Sequence, residues 1–420
     1  MTATTTERAS RSPEAAPGSH DVFVARQPIF DRRLRVYGYE LPFRAGAADS
    51  RSASDDTDAT HRAMEAALLD LRLETLVGDK PALVKFSTDL ILAGCQKSLP
   101  RRTVIELTEF VEPRDDVVEA CHRLKRGGYR LALDNVVYRP ELEPLAEMVD
   151  IIRICFQRSD PSEQCRQMRR VAPYAALLAG QVETHEEFSK ATELGFQYVQ
   201  GWFFCHPEPV AGRALGSCAL THLRLIQAAS RPELDLDEFE QVIIDDPSLT
   251  HRFMRFLGSA AFGWSGPFTS VRHGLALLGG ERTRRWVGLM SLREIAKDKP
   301  QELLVQAAIR AKVCERLGAC VGLDGREADL FFLGSLSLVD TMLDRSMDDV
   351  LAELPLGADL EAALLGESNL LRPVLEVAIA YERGCWEECD ALALTLGLAK
   401  PTLSAVYVDG VQWAHDVFAP

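Results

Sequence analysis

The sequence has no CxxC pair, no apolar run near the ~18 residues that a membrane span needs, and no surplus of basic charge. Each absence excludes something. Its ten cysteines, at 95, 121, 155, 165, 205, 218, 314, 320, 385 and 389, are scattered and several sit inside apolar runs. That usage argues against a disulfide framework and fits a reducing, cytoplasmic setting. Cys385 and Cys389 share a helical segment without a histidine partner, which gives no metal site. The formal net charge of -15 argues against a broad electrostatic grip on nucleic acid or anionic lipid. The opening twenty residues lack an apolar segment, so they read as a disordered tail (1–20) and not as a signal peptide.

What is there is an ordinary globular composition, 47% hydrophobic and 26% charged over 420 residues, enough for two or three domains. From Asp21 to Pro207, short apolar runs alternate with helical stretches. The runs 22–30, 35–43, 82–87, 104–109, 130–135, 151–156, 176–182 and 198–204 read as strands covered on both faces. The first two, separated by a short polar turn, read as a hairpin. Helices are predicted over 60–75, 112–125 and 184–194, the last opened by a Thr184–Glu187 capping box. Repeated strand–helix units predict a parallel α/β barrel over 21–207, with a polar loop at 45–59. A linker over 208–216 precedes an all-helical region over 217–412.

"FVARQPIFDRRLRVYGYELPFR", "IELTE", "LALDN", "VET" and "QGWFF" stand in order and spacing that resemble the EAL family, cyclic di-GMP phosphodiesterases on a TIM-barrel-like fold. The resemblance implies divalent metals held by strand-end carboxylates and an Asn, with a Lys in support. Of the family's positions, Glu40, Glu106, Asp134, Glu183 and Gln200 keep their type. Lys85 stands for the Asn, Asn135 for the second of two paired Asp, Arg153 for the Lys and Gly180 for a Glu; Cys155 replaces the acid two residues after that Lys. A Gly-containing loop is rewritten as "VVYRP". The changes run in one physical direction. A lysine ammonium at ~4 Å from a divalent ion costs roughly 8 kcal/mol at an effective dielectric of 20. Arg does not substitute for Lys as a point charge or proton carrier. Lys85 and Arg153 are therefore expected to neutralise Glu40, Glu106 and Asp134 without a metal. Arg44 stands where the family contacts a phosphate and is a candidate nucleotide contact.

"VIIDDPSLTHRFMRFLGSAAFG" and "SVRHGLALLGGERTRRWV" resemble the HDOD family, an all-helical relative of metal-dependent HD phosphohydrolases that lacks their His–Asp pair. In "GSLSLVD", Ser337 and Leu338 stand where such a pair would be. His251 and His273 have no acid cluster near them, and "ERTRRW" (Arg282, Arg284, Arg285 and Trp286) reads as a helix with its Trp in the core and its arginines in solvent. The resemblance to an EAL-like domain followed by an HDOD domain implies a bacterial signalling protein of the cyclic di-GMP network. The expectation is of a chain that is not an enzyme, without cofactor or metal, acting through a protein partner. Binding of cyclic di-GMP without hydrolysis, hydrolysis itself, and homodimerisation stay open. Membrane insertion and nucleic acid are not expected.

Overall fold

The structure, a computed structural model, describes residues 22–45, 73–94, 99–108, 111–135, 137–156, 160–208, 215–231, 233–258, 266 and 269–418. The expected tail 1–20, residues 46–59 of the polar loop, residues 60–72 of the first helix and residues 209–214 of the linker lie outside them.

Among the described residues ten strands form: β1 (Val22–Val24), β2 (Gln27–Asp31), β3 (Val36–Glu40), β4 (Phe43–Ala45), β5 (Ala82–Phe86), β6 (Val104–Leu107), β7 (Arg130–Leu133), β8 (Ile151–Cys155), β9 (Ala176–Gly180) and β10 (Tyr198–Gln200). Eight close a barrel in the order β10-β2-β3-β5-β6-β7-β8-β9. It is not wholly parallel. The hairpin turn after Asp31 reverses the chain, so β2 runs antiparallel to both β3 and β10. The first two predicted strands also each divide in two. After β3, Pro42 lacks an N–H, and its carbonyl accepts from Ala25. β1 and β4 then pair as a separate two-stranded sheet.

The barrel helices are α1 (Leu73–Val77), α2 (Thr88–Ala93), α3 (Asp115–Arg126), α4 (Glu143–Ala146), α5 (Pro161–Val171) and α6 (His185–Glu193). The Thr184 side chain accepts from the Glu187 N–H, closing the capping box of α6. Beyond the barrel come α7 (Ser217–Ser230), α8 (Leu236–Asp245), α9 (Pro247–Leu257), α10 (Val271–Ile295), α11 (Gln301–Cys320) and α12 (Glu327–Leu336). α13 (Val339–Leu343), α14 (Met347–Glu353), α15 (Ala358–Leu364), α16 (Arg372–Arg383), α17 (Trp386–Thr395) and α18 (Lys400–Phe418) complete the region. Asp246 caps α9, accepting from the N–H groups of Ser248 and Leu249, with Pro247 in the first turn where no N–H is needed. α10 breaks at Gly279, whose φ of 75° only glycine adopts without strain. No single helix among the described residues is long and apolar enough to cross a membrane.

The helical region packs on the barrel through a buried polar knot. The Arg26 guanidinium, fully buried, donates to Glu302 at 3.0 Å, to the Leu76 carbonyl at 2.9 Å and to His415 Nε2 at 2.8 Å. The Tyr39 hydroxyl donates to the other oxygen of Glu302 at 2.9 Å, and its ring lies under Arg26. Burial and then the Arg26 charge push the His415 pKa down to about 4, so its ring is neutral and accepts from Arg26.

Candidate functional site

Side chains on a strand alternate between its two faces, so the barrel interior fills in layers. One inward layer is apolar: Ile29, Leu83, Val104, Ala132, Ile151 and Leu178. Two residues further along these chain segments stand Lys85, Glu106, Asp134, Arg153 and Gly180, and Gln200 stands two beyond Tyr198. Register sets Lys85 beside Glu106, Gln27 beside Glu40, and Cys155 beside Gly180. The period of two thus collects all the polar groups at one mouth of the barrel.

Arg153 is the centre. Its Nη1 donates to Asp134 at 3.0 Å and lies 3.4 Å from Glu106; its Nη2 donates to Glu40 and to the Gln200 carbonyl oxygen. Lys85 reaches in from the partly exposed rim, 3.1 Å from Glu40 and 3.0 Å from Asp134. Burial alone would raise the Glu40 pKa, but the charges of Arg153 and Lys85 outweigh it and hold the carboxyl well below the usual range. Glu106 is fully buried and neither oxygen makes a hydrogen bond. Burial first, with Glu40 and Asp134 adding to it against the pull of Arg153, pushes its pKa up to about 8, so it carries a proton at neutral pH.

Neighbouring positions at the mouth support one another. A Cβ on Gly180 would lie 3.0 Å from Cδ and 3.1 Å from Cγ of Arg153, so the glycine provides the room for that side chain's stem. Asn135 has a φ of 44°, a left-handed conformation that Asn tolerates better than most residues. Glu183 stands apart: its N–H caps onto Glu187, and no ion pair joins it to Arg153 or Lys85 among the described residues. Arg44 is spent elsewhere, paired through both terminal nitrogens with Asp390 of α17 and lying over the rings of Phe23 and Trp386.

These residues do not fit a divalent metal as they are arranged. A guanidinium and an ammonium already lie among the three carboxylates, and the most buried carboxyl is protonated. No group of three metal-ligating side chains is set to hold an ion among the described residues. The same holds in the helical region. Arg310 makes a bidentate pair with Glu382 at 2.8 Å and donates to Ser337 at 3.1 Å, so a guanidinium occupies this part of the helical core. Of the "ERTRRW" arginines, Arg284 is buried and donates to the Ala229 carbonyl, so the expectation of solvated arginines fails there.

Sequence reasoning missed Gln27. Its side-chain carbonyl accepts from Gln200, which also donates to Glu40, and its amide donates to the Arg383 carbonyl at the end of α16, 3.0 Å away. It missed the Arg26–Glu302 pair too. The available signal was a charged residue inside the buried text "VARQPIF", which demands a partner.

A closed barrel with its polar mouth at the strand ends, followed by a helical region, defines an EAL-like domain joined to an HDOD domain. The HDOD domain profile matches residues 215–340. YuxH of Bacillus subtilis is 30% identical over 406 residues, covering 94% of this chain and 98% of YuxH. The chain belongs to the same family as YuxH. CdgJ of Vibrio cholerae, named a cyclic di-GMP phosphodiesterase, is 28% identical over 403 residues, covering 95% of this chain and 93% of CdgJ. An EAL domain protein from Listeria monocytogenes aligns with 44% of this chain and 87% of its own at 16% identity and a TM-score of 0.35. The expectation that the chain is not an enzyme is overturned by CdgJ: a relative alike over nearly the whole chain carries the name of a phosphodiesterase, which points toward an enzyme. The chain thus joins a barrel with an EAL-like fold to an HDOD domain.

Proposed function

We propose that the barrel mouth is the end that meets cyclic di-GMP, and that the helical region passes the state of that mouth to a protein partner in the cytoplasm. The observation that carries this reading is the hydrogen-bonded run from Arg153 and Glu40 through Gln200 and Gln27 to the Arg383 carbonyl. Lys85, 42% exposed, is the cation that a phosphodiester oxygen reaches first. An anion that draws Lys85 or Arg153 away from Glu40 alters the acceptors available to Gln200, and through Gln27 the end of α16.

The test is a calorimetric titration of the full chain with cyclic di-GMP, with hydrogen exchange followed over residues 380–390. The expected result is binding with a change in exchange there, and Gln27→Ala abolishing the exchange change while keeping the binding. No heat and no thermal shift at millimolar ligand, or binding that leaves those residues unchanged, defeats the proposal. Chromatography of the same mixture, with Mn²⁺ added, measures turnover, the activity that the name of CdgJ states.

A further inference from the structure

The end of the barrel away from the mouth carries a basic surface, in a chain whose net charge is -15. The turn after β2 brings Arg32, Arg33 and Arg35 there, and the end of α5 brings Arg169 and Arg170. The loop into β9 adds Tyr174, which is 99% exposed. Asp31 is taken by Arg35 at 2.7 Å, and Glu193 at the end of α6 is the other acid of these segments (31–35, 169–175 and 193–198). Neutral groups hold two of the arginines: Arg32 Nε donates to the Phe196 carbonyl at 2.6 Å, and Arg169 Nη2 to the Leu194 carbonyl at 2.7 Å. The two converge over Gly195, where an added Cβ would lie 2.5 Å from Arg169 Nη2 and 3.4 Å from Arg32 Nη2. No ion pair joins an acid to Arg32, Arg33, Arg169 or Arg170 among the described residues. The helix end that these arginines cap carries about half a negative charge, less than one guanidinium, so a positive excess remains.

α8 presents the opposite surface. Glu233, Asp235, Asp237, Glu238, Glu240 and Asp245 stand on it or just before it. Against them are Arg231, which faces Glu238, and Arg272, which bridges Asp237 and Glu240. Ile244 is 51% exposed, and helical spacing from Asp237, Glu240 and Gln241 places it in the middle of this acidic face. Each surface thus has one large exposed side chain inside a charged rim, with rims of opposite sign, which is the anatomy of a protein contact. The net charge of the chain repels an extended polyanion, so complementarity favours a second copy over a membrane or a nucleic acid. We propose that α8 of a second copy docks on this end of the barrel, Ile244 against Tyr174 and the acids against the guanidiniums. Such a head-to-tail contact leaves one face of each kind unused in a dimer, so it extends into longer assemblies or closes as a ring. The proposal stands independently of ligand binding at the mouth.

The test is sedimentation velocity of the full chain over a rising concentration series, at about 50 mM and about 500 mM salt, since salt screens exposed charges. The mean mass is expected to rise with concentration at low salt, to at least about twice that of one chain, and to fall back at high salt. Arg33→Glu with Tyr174→Glu abolishes the rise, and so does Ile244→Lys with Asp245→Lys. An equal mixture of the two variants regains a one-to-one complex, because each supplies the face that the other lost, a gain that misfolding cannot produce. A wild-type chain that stays single at low salt overturns the proposal. So does self-association that neither variant changes, or a mixture that stays apart. Capture of a single wild-type chain by vesicles of phosphatidylserine and phosphatidylcholine, lost in the Arg33→Glu, Tyr174→Glu variant, overturns it too, by giving the basic surface to a membrane.

Discussion

Replacing Arg153 by Met keeps most of the stem and removes the charge at the centre of the barrel mouth. Lys85 then remains alone to face Glu40 and Asp134, at 3.1 and 3.0 Å. One carboxylate is left without a cation. An uncompensated buried charge costs about 3–5 kcal/mol. The group escapes that cost by taking a proton, and the cost of doing so depends on pH. From an ordinary carboxyl value of 4.5, protonation at pH 7 costs about 3.4 kcal/mol, and at pH 5 about 0.7 kcal/mol, at ~1.36 kcal/mol per unit. The expected destabilisation is therefore about 3 kcal/mol at pH 7, shrinking to below about 1 kcal/mol at pH 5. Urea unfolding of both proteins at the two pH values measures it, read as a shift of midpoint at constant slope. A loss that is the same at both pH values would refute the reasoning, as would a loss below about 1 kcal/mol at pH 7, since the carboxylates would then not depend on the guanidinium.

Glu106→Gln mimics the neutral carboxyl. With the folded pKa pushed up to about 8, the wild type loses stability as pH rises from the ordinary value of 4.5 to about 8, because only the unfolded state releases the proton. The variant gains thermal stability relative to wild type across that window, and no relative gain on moving from pH 5 to 8 would count against a protonated Glu106. His415 acts in the opposite sense. Its folded pKa of about 4 lies below the ordinary 6.5, so unfolded chains take up the proton first and stability falls as pH drops from 6.5 toward 4. His415→Gln flattens that limb of the melting-temperature profile, and an unchanged limb removes His415 as its cause. Gly180→Ala destabilises the wild type but is near neutral in an Arg153→Ala background, with a coupling of ~0.5 kcal/mol or more in a double-mutant cycle. Additive effects would mean that the glycine is not there for the arginine's stem.

Short, near-continuous apolar runs alternating with helical stretches made the barrel legible, because strands covered on both faces are apolar at successive positions. Helix ends were legible where the capping chemistry is local, as at Thr184. The antiparallel β2 was half legible: the turn after Asp31 marks a hairpin, but nothing local says that the hairpin's first strand closes the ring against β10. The mouth residues could be enumerated one by one from the resemblance to the EAL motifs, and Lys85, Glu106, Asp134 and Arg153 do stand on or just after neighbouring strands. Their use could not. Arg44 bonds Asp390 and Gln27 bonds the Arg383 carbonyl, hundreds of residues away. Such pairs depend on how the helical region docks, which no periodicity within either part encodes.

The side chains at the mouth are easiest to understand as a charge count. Lys85 and Arg153 together supply two positive charges, the same as one divalent ion, and they stand among Glu40, Glu106 and Asp134. Burial neutralises Glu106, leaving two carboxylates for two cations. A balance of that kind keeps acidic side chains buried that would otherwise be costly, but it fixes them in different geometry from a metal site, because a guanidinium donates along planar directions and needs volume for its stem. Gly180 provides that volume. The helical region follows the same rule, with Arg310 and Glu382 paired beside Ser337. In both halves a long buried cation is held by several neighbours at once, so a substitution at any one of these positions is felt at the others. For the barrel the consequence is specific: whatever chemistry occurs at this mouth must first displace, or work with, Arg153, because it holds Glu40, Asp134 and Gln200 at once.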